Sequence, residues 1–439
     1  MKRYRTIFSL GLPIIGGMLS QSVINLIDTA MVGSLGEASL AAVGLASYLN
    51  FVAVSFVLGL SSAVQSLVAR RRGQQRFAEM AVPVNSGLLL SLLFALPLSL
   101  LLIQLSAPLT ALLNQDEAVL DIAEQYLDYR LLGLTAIAMN LSLRGWWNGT
   151  LRPGVYLRTL LVSHLLNVAI SYCLIFGKLG LPAMGAAGAG LGTALALMLG
   201  AGINLVLVWR DGNQQRLLRF QGSVRRSVAT VLRQSIPHST QQVFFSAALM
   251  VLFWIIGKLG SDEQAIAHVL INLALFLILP AVGIGVAATS LVSEALGSGD
   301  TRRARQTGWD AVNTALMLLL LLSLPMWLIP EALLGLFLHS ASLVEQAAPL
   351  LQITGLAICL DCAALVLTQA LLGAGANRLV MFITTSGQWC FYLPLAWLAG
   401  PQFGWGLTGI WIVQLIHRCL SSVAFIYIWA RGDWSNIRI

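Results

Sequence analysis

Residues 10–36 read LGLPIIGGMLSQSVINLIDTAMVGSLG, an apolar run broken by a single charge, Asp28. A helix needs about 20 mostly apolar residues to cross the hydrocarbon core of a bilayer, and this run has enough. A strand of a membrane barrel would alternate in polarity over about ten residues, and this run does not. Comparable runs recur along the chain at roughly 9–33, 39–70, 83–107, 119–147, 155–178, 186–209, 235–259, 264–294, 307–329, 345–374, 379–399 and 406–430. Over its 439 residues the chain is 57% hydrophobic and only 10% charged. Soluble domains carry about 25% charged residues, so this chain cannot cover a wetted surface. The predicted fold class is an all-α integral membrane protein of twelve transmembrane helices.

The formal net charge of +8 invites a nucleic-acid partner, but its distribution argues otherwise. With the N-terminus inside, every Lys and Arg except Arg130, Lys178 and Lys258 falls in or beside an inside segment. Arg70–Arg72 with Arg76, Arg216 to Arg233, and Arg302 to Arg305 form the main clusters. That bias sets membrane topology and accounts for the basicity. It places both termini in the cytoplasm and the chain in the cell's inner membrane, with no nucleic-acid partner. The start (Lys2, Arg3, Arg5, then an apolar run) has the look of a secretory signal, but the run continues past Asp28 without a small-residue cleavage pattern. It reads as the first span.

An internal repeat supplies the organisation. An offset of 224 carries Pro13 onto Pro237, Leu35-Gly36 onto Leu259-Gly260, Gly59 onto Gly283, Ser66-Leu67-Val68 onto Ser290-Leu291-Val292 and Gly73 onto Gly297. With a slip of two, Gly149 and Arg152 match Gly375 and Arg378. Six spans separate equivalent points, so the halves share one orientation, as in parallel-repeat transporters with sites near the midplane. The expected division is an N-lobe over 1–209, a linker over 210–234 and a C-lobe over 235–439. The linker, RDGNQQRLLRFQGSVRRSVATVLRQ, suits either a basic amphipathic helix on the inner leaflet or a solvated connector.

Acids at membrane depth are costly and are candidates for function. Asp28 and Asp361 are two such acids, each in a polar stripe at helical spacing. Gln21, Asn25 and Asp28 share a face of the first span; His164, Asn167 and Ser171 share one on the fifth. Thr354, Asp361 and Thr368 repeat every seven residues on the tenth, and Gln241, Gln242 and Ser246 mark the seventh. The stripes serve either as hydrogen-bonding glue between helices or as a cavity lining. Asp28 can exchange a proton or hold a small cation with oxygens from Asn25, Asn167 or Ser171, and Asp361 has the same capacity. The candidate coupling set is Asp28, Asn25, Asn167 and Asp361, with Na⁺ at Asp28 or Asp361 as the metal possibility. The candidate cavity set is Gln21, Ser171, His164, Gln241, Gln242, Thr354 and Thr368.

No enzyme signature is present: there is no Walker A loop, no HExxH and no GxSxG. The glycine-rich 185–200 lies in an apolar span, where small residues allow close helix packing. Cys173, Cys359, Cys362, Cys390 and Cys419 all fall in spans and read as small core residues. No cofactor is expected.

These residues resemble the multidrug and toxic compound extrusion (MATE) family. The 10–36 run is similar to its first helix, through a proline and then Asp28, Thr29 and Gly33. AHVLIN (267–272) resembles its Ala-His-x-x-x-Asn element, SLVSEALGSGDTRRA (290–304) its cytoplasmic loop, and LLNVAISYCLIFGKLGLPAMGAAGAGLGTA (165–194) its fifth-to-sixth span segment. The resemblance implies two lobes flanking a cleft and antiport by alternating access, with cationic and amphipathic compounds leaving as H⁺ or Na⁺ enters. It implies roles in cation coupling for Asp28, Asn167 and Asp361. Two positions depart from the family: a glutamate of the sodium-coupled branch is Phe245 here, and an aspartate of another branch is Ser171. These departures tilt the coupling ion towards H⁺. The expected partners are small cationic drugs and the lipid bilayer, with a monomeric protein. The alternative is a lipid or oligosaccharide-lipid flippase of the wider superfamily, against which the scarcity of Arg and Lys inside the spans counts. Trp146, Trp147, Phe245 and Trp389 are candidate π faces for organic cations.

Overall fold

The computed structural model describes residues 2–211, 217, 219, 223–338 and 340–437, and the described residues are helical almost throughout, with no strand. Helix α1 (Lys2–Gly33) contains Pro13 and is followed by α2 (Glu37–Ser55) and α3 (Gly59–Gly73), which together form the second span. The third span is built from α4 (Ala81–Leu90), a π-helical turn (Ser91–Ala95) and α5 (Leu96–Gln104), with α6 (Ser106–Ala111) after it. Pro97 has no N–H to give the preceding turn, which is why the helix widens there. Next come α7 (Glu117–Leu132), α8 (Leu134–Gly149), α9 (Pro153–Phe176) and α10 (Gly185–Asp211). Asp116 caps α7 by accepting from the Ala118 N–H, and Pro153 opens α9 with a preset φ.

The second half runs α11 (Val224–Gly257), α12 (Ser261–Gly297), α13 (Thr301–Leu328), α14 (Pro330–Leu334) and α15 (Ala341–Ala374). It ends with α16 (Asn377–Ser386), a π-helical stretch (Gly387–Tyr392), α17 (Leu393–Trp397), a second one (Leu398–Gln402) and α18 (Gly406–Arg431). Pro394 and Pro401 accompany the two π-helical stretches. Among the described residues, eleven helices are long and apolar enough to cross a membrane. The fourth of the twelve expected spans is present as two shorter helices, α7 and α8, which meet at Gly133.

Residues 212–216, 218 and 220–222 of the expected linker lie outside the described residues. The described remainder from Val224 to Gln234 is the first part of α11, continuous with the seventh span. The chain forms two compact units, and their limits fall inside helices. One comprises Met1–Ile15 with Val243–Ile439, and the other comprises Gly16–Gln242.

In the unit Gly16–Gln242, α3 packs on α8, α2 on α7, and α10 on α7, α8 and α9. Small residues set the approach. A Cβ on Gly188, Gly192 or Gly200 of α10 would collide with Leu174, Ser171 or Ser163 of α9. A Cβ on Gly145 or Gly149 of α8 would collide with Val64 or Val68 of α3. Here Gly59 of α3 meets α11, its N–H donating to the Ser239 hydroxyl at 3.0 Å.

In the other unit, α12 packs on α13 and α15, and α15 on α13 and α18. Gly373 faces the Thr289 backbone, and the Thr289 hydroxyl donates to the Gln369 carbonyl at 2.8 Å. The first turns of α1 belong here: Gly11 lies on Ile284, Ile15 on Gly283, and the Arg3 Nη1 donates to the Gln306 Oε1 at 2.5 Å. The offset of 224 carries Ile15 onto Ser239 and Gly59 onto Gly283. Each unit therefore has the same helix crossing, oily in one and hydrogen-bonded in the other.

Candidate functional site

In the unit Gly16–Gln242, α1 and α9 run side by side in the same direction. Gly16 lies by Leu157, Gly17 by Leu160, and the Gln21 Oε1 is 3.4 Å from the His164 Nε2. Gln21 in turn donates to the Asn25 Oδ1 at 3.1 Å. Two further helical turns along this register bring Asp28 to the level of Asn167 and Ser171. Both of those are buried, Asn167 at 4% exposure and Ser171 at none. Asn167 spends its amide on the Thr193 hydroxyl of α10 at 2.9 Å, and Thr193 donates onward to the Ala189 carbonyl.

What remains is a set of buried oxygens with no protein hydrogen-bond partner: the Asp28 Oδ1, the Asn167 Oδ1 and the Ser171 Oγ. Unpartnered buried polar atoms are uncommon, and each one needs a reason. Arg130 of α7 stands within electrostatic range of Asp28, its own Nε buried and unpartnered, with Tyr126 at 6.0 Å beneath its guanidinium. The candidate site is a carboxylate on α1 and two buried neutral oxygens on α9, with one basic group within electrostatic range of the acid.

The C-terminal stripe is arranged differently. Asp361 accepts from the Arg418 Nη1 of α18 at 2.8 Å, a charge-assisted pair. Seven residues earlier on both helices, the Trp411 Nε1 donates to the Thr354 hydroxyl at 2.8 Å. The Ser422 hydroxyl donates to the Leu360 carbonyl at 2.6 Å. The faces carrying Thr354 and Asp361 are thus hydrogen-bonded to α18, and Thr368 follows one heptad on, half-buried. Asp361 and Asp28 differ in kind: one has a fixed guanidinium partner, and the other keeps an open oxygen.

Several expectations change. Arg418, expected in or beside an inside segment, sits in the middle of α18, paired with a span acid. Trp146 and Trp147 are not free π faces. They are buried, and donate to the Asp211 carboxylate at 3.0 Å and the Asn204 carbonyl at 3.2 Å. Trp389 is half-buried and sets its ring edge-on to Phe244 at 5.8 Å. The Gln241 Oε1 is buried without a partner, and Gln242 is half-buried beside it. Asn272 of the His-x-x-x-Asn element donates locally to the His268 carbonyl at 2.8 Å. Among the described residues no group of three or more His, Cys, Asp or Glu is placed to hold a metal ion.

Sequence reading also missed a polar seam between α3 and the first half of α11. Ser62 and the His238 Nδ1 lie 2.6 Å apart, Ser66 donates to the Gln234 Oε1 at 2.9 Å, and the Arg144 Nε donates to the Ser61 hydroxyl at 2.9 Å. Its signal was present in the two serines after Gly59 and in His238-Ser239 after Pro237.

Known proteins resemble this chain in both sequence and fold. The MatE family model matches residues 13–173 and again 237–398, so its two copies begin at the repeat-related Pro13 and Pro237. A probable multidrug resistance protein NorM of Synechococcus sp. is 30% identical, over 95% of this chain and 91% of its own. One of Pseudomonas aeruginosa is 29% identical, over 93% and 85%. A structure described as an outward-facing multidrug resistance MATE family transporter of the MOP superfamily superposes with a TM-score of 0.89 at 21% identity, over 99% of this chain and 96% of its own. The Vibrio cholerae MATE transporter VcmN in its bent form gives 0.89 at 19%, over 98% and 97%. At such identities the superpositions speak for the fold alone.

Proposed function

The chain belongs to the MatE family of membrane transporters, and from that premise we propose that it is a secondary active multidrug exporter with Asp28 as its coupling acid. It is a transporter rather than an enzyme. It exchanges cationic and amphipathic compounds for an inward-moving ion, H⁺ in preference to Na⁺, by alternating access in the inner membrane. Both termini are cytoplasmic, and the working unit is a monomer with lobes 1–209 and 235–439 joined by 210–234.

The observation that carries this reading is the trio of buried, unpartnered oxygens on Asp28, Asn167 and Ser171. A proton on Asp28 gives its carboxyl a donor for an acceptor such as the Asn167 carbonyl oxygen, whereas the carboxylate can only accept, as from the Ser171 hydroxyl. Protonation therefore favours a different local arrangement from ionisation. A ligand shifts a conformational equilibrium only through such differential affinity. The Gln21–Asn25 pair one turn back on α1, bonded to His164, gives the change a route along the helix.

A flippase for anionic head groups is the second reading, favoured by Arg130 and Arg418 inside the spans. Each stands beside an acid, Asp28 or Asp361, so neither offers an unopposed positive charge. The deciding experiment is ethidium efflux from proteoliposomes under separately imposed proton and sodium gradients. Wild type is expected to respond to the proton gradient and Asp28→Asn to lose the response. Normal gradient-driven efflux by Asp28→Asn at matched reconstitution would falsify the assignment.

A further inference from the structure

We infer that Arg418 is a tethered counter-ion that occupies, at Asp361, the place a mobile cation would otherwise take. The second span acid is thereby closed to coupling ions, a conclusion that builds on the reading of Asp28 as the coupling acid. Asp361 is only 8% exposed in the middle of α15. A carboxylate at that depth has to be neutralised by a proton, a bound cation or a basic side chain. Arg418 supplies the third of these at 2.8 Å.

The guanidinium is held there by the pairing of two helices. Thr354 and Trp411 meet through a hydrogen bond, and Asp361 and Arg418 meet one heptad later, so the same register governs both. Ser422 then clips α18 to α15 by donating to the Leu360 carbonyl and accepting from the Ala364 N–H at 3.3 Å. With bonds on either side of it, the Arg418 backbone is held beside Asp361, so the guanidinium stays tethered to the acid through the side chain. A mobile ion, by contrast, comes and goes with the transport cycle.

The surroundings are those of a cation site with its occupant built in. Tyr392 ends the π-helical stretch Gly387–Tyr392, is 5% exposed and has no hydrogen-bond partner for its hydroxyl. It lies within electrostatic range of Arg418, as does His417, which stacks on the Tyr392 ring at 5.4 Å with its Nε2 unpartnered. π-helical turns recur where a helix is reshaped for function. With the guanidinium removed, the Asp361 carboxylate is left as a buried hard donor for a small monovalent cation, and the Tyr392 oxygen, within range of the same guanidinium, is a second oxygen without a partner.

Arg418→Gln keeps a hydrogen-bonding side chain and deletes the charge. The test is the thermal unfolding midpoint of purified protein in sodium chloride against choline chloride at equal ionic strength. Wild type should melt alike in both salts. Arg418→Gln should melt several degrees lower in choline and recover in sodium, since a ligand bound only by the folded state raises the midpoint. The Asp361→Asn/Arg418→Gln double variant should again be indifferent to sodium. A sodium shift in wild type that Asp361→Asn removes overturns the inference, as does an Arg418→Gln protein equally stable in both salts. If the single variant cannot be purified, recovery of the double variant supports the inference, because the uncompensated charge has gone. Loss of the double variant too overturns it, since packing rather than charge would then be the role of Arg418. The readout is ion binding, not efflux, so its outcome is distinguishable from a failure of coupling at Asp28. A wild-type sodium shift removed by Asp28→Asn but not by Asp361→Asn supports a closed C-terminal acid.

Discussion

Asn167 gives its amide to the Thr193 hydroxyl at 2.9 Å, which leaves its carbonyl oxygen buried and without a protein partner. The threonine thus sets the face that Asn167 turns to the site. Thr193→Val removes the acceptor and frees the amide to rotate. We predict several-fold weaker drug-driven ion exchange at unchanged expression, and a larger loss for Asn167→Leu, both measured in proteoliposomes. Full exchange in Asn167→Leu would remove Asn167 from the coupling set.

The proton reading fixes the sign of the pH dependence. Protons moving inward release drug outward, so acidifying the outside at constant internal pH should accelerate efflux and alkalinising it should slow efflux. Asp28→Asn should flatten that dependence, since Asn retains the shape without a titrating charge. Asp28→Glu should keep the dependence at reduced rate. A rate that follows sodium at constant pH would transfer the coupling to Na⁺ while leaving Asp28 in place.

The seam between α3 and α11 makes a stability prediction. Ser62→Ala leaves the His238 ring nitrogen buried without its 2.6 Å partner. Stranding such a group costs about 1–3 kcal/mol, which should appear as a lower unfolding midpoint. Ser62→Ala with His238→Phe should recover much of that loss, because no polar atom is then left unpaired. Equal midpoints for Ser62→Ala and wild type would show that the bond contributes nothing.

Close packing in the first half is testable at Gly192, where a Cβ meets Ser171. Gly192→Val should force α10 away from α9, reducing both folded yield and transport. Gly202, with open space around it, should tolerate the same change. Fluorescence-detected size exclusion of tagged variants distinguishes the two outcomes.

Topology can be read with reporter fusions. Fusions after Arg76, at Arg219 and at the C-terminus should report the cytoplasm, and one near Asp262 the outside. An outside signal at Arg219 would contradict six spans in each half.

The spans and the repeat were legible because each is a property of long stretches: hydropathy averages over a helix, and the offset of 224 recurs at many positions. The α7–α8 junction at Gly133 and the π-helical turns before Pro97 and Pro394 were not, since a one-residue change in helix winding leaves the apolar pattern intact. The stripe of Gln21, Asn25 and Asp28 was visible, and so was that of His164, Asn167 and Ser171. Their joining through a Gln21–His164 contact needed the register of α1 on α9. Arg418 was hidden by the same averaging that revealed the spans, because one arginine barely lowers the hydropathy of a 26-residue helix. Its signal lay in Trp411 and Arg418, spaced seven apart like Thr354 and Asp361.

The placement of the two unit limits within α1 and α11 has a consequence for any attempt to divide the chain. Cleaving the gene between codons 211 and 223 gives a first fragment without Ser235 and Ser239, and a second without Gly11 and Ile15. Each product would lack a helix segment that its compact unit contains, and Gly59 and Gly283 would face an empty groove. Neither fragment should accumulate when made alone, while co-expression should restore both. The ancestral duplication therefore left two copies that are interdependent, so an exporter of this kind cannot be reduced to a working half.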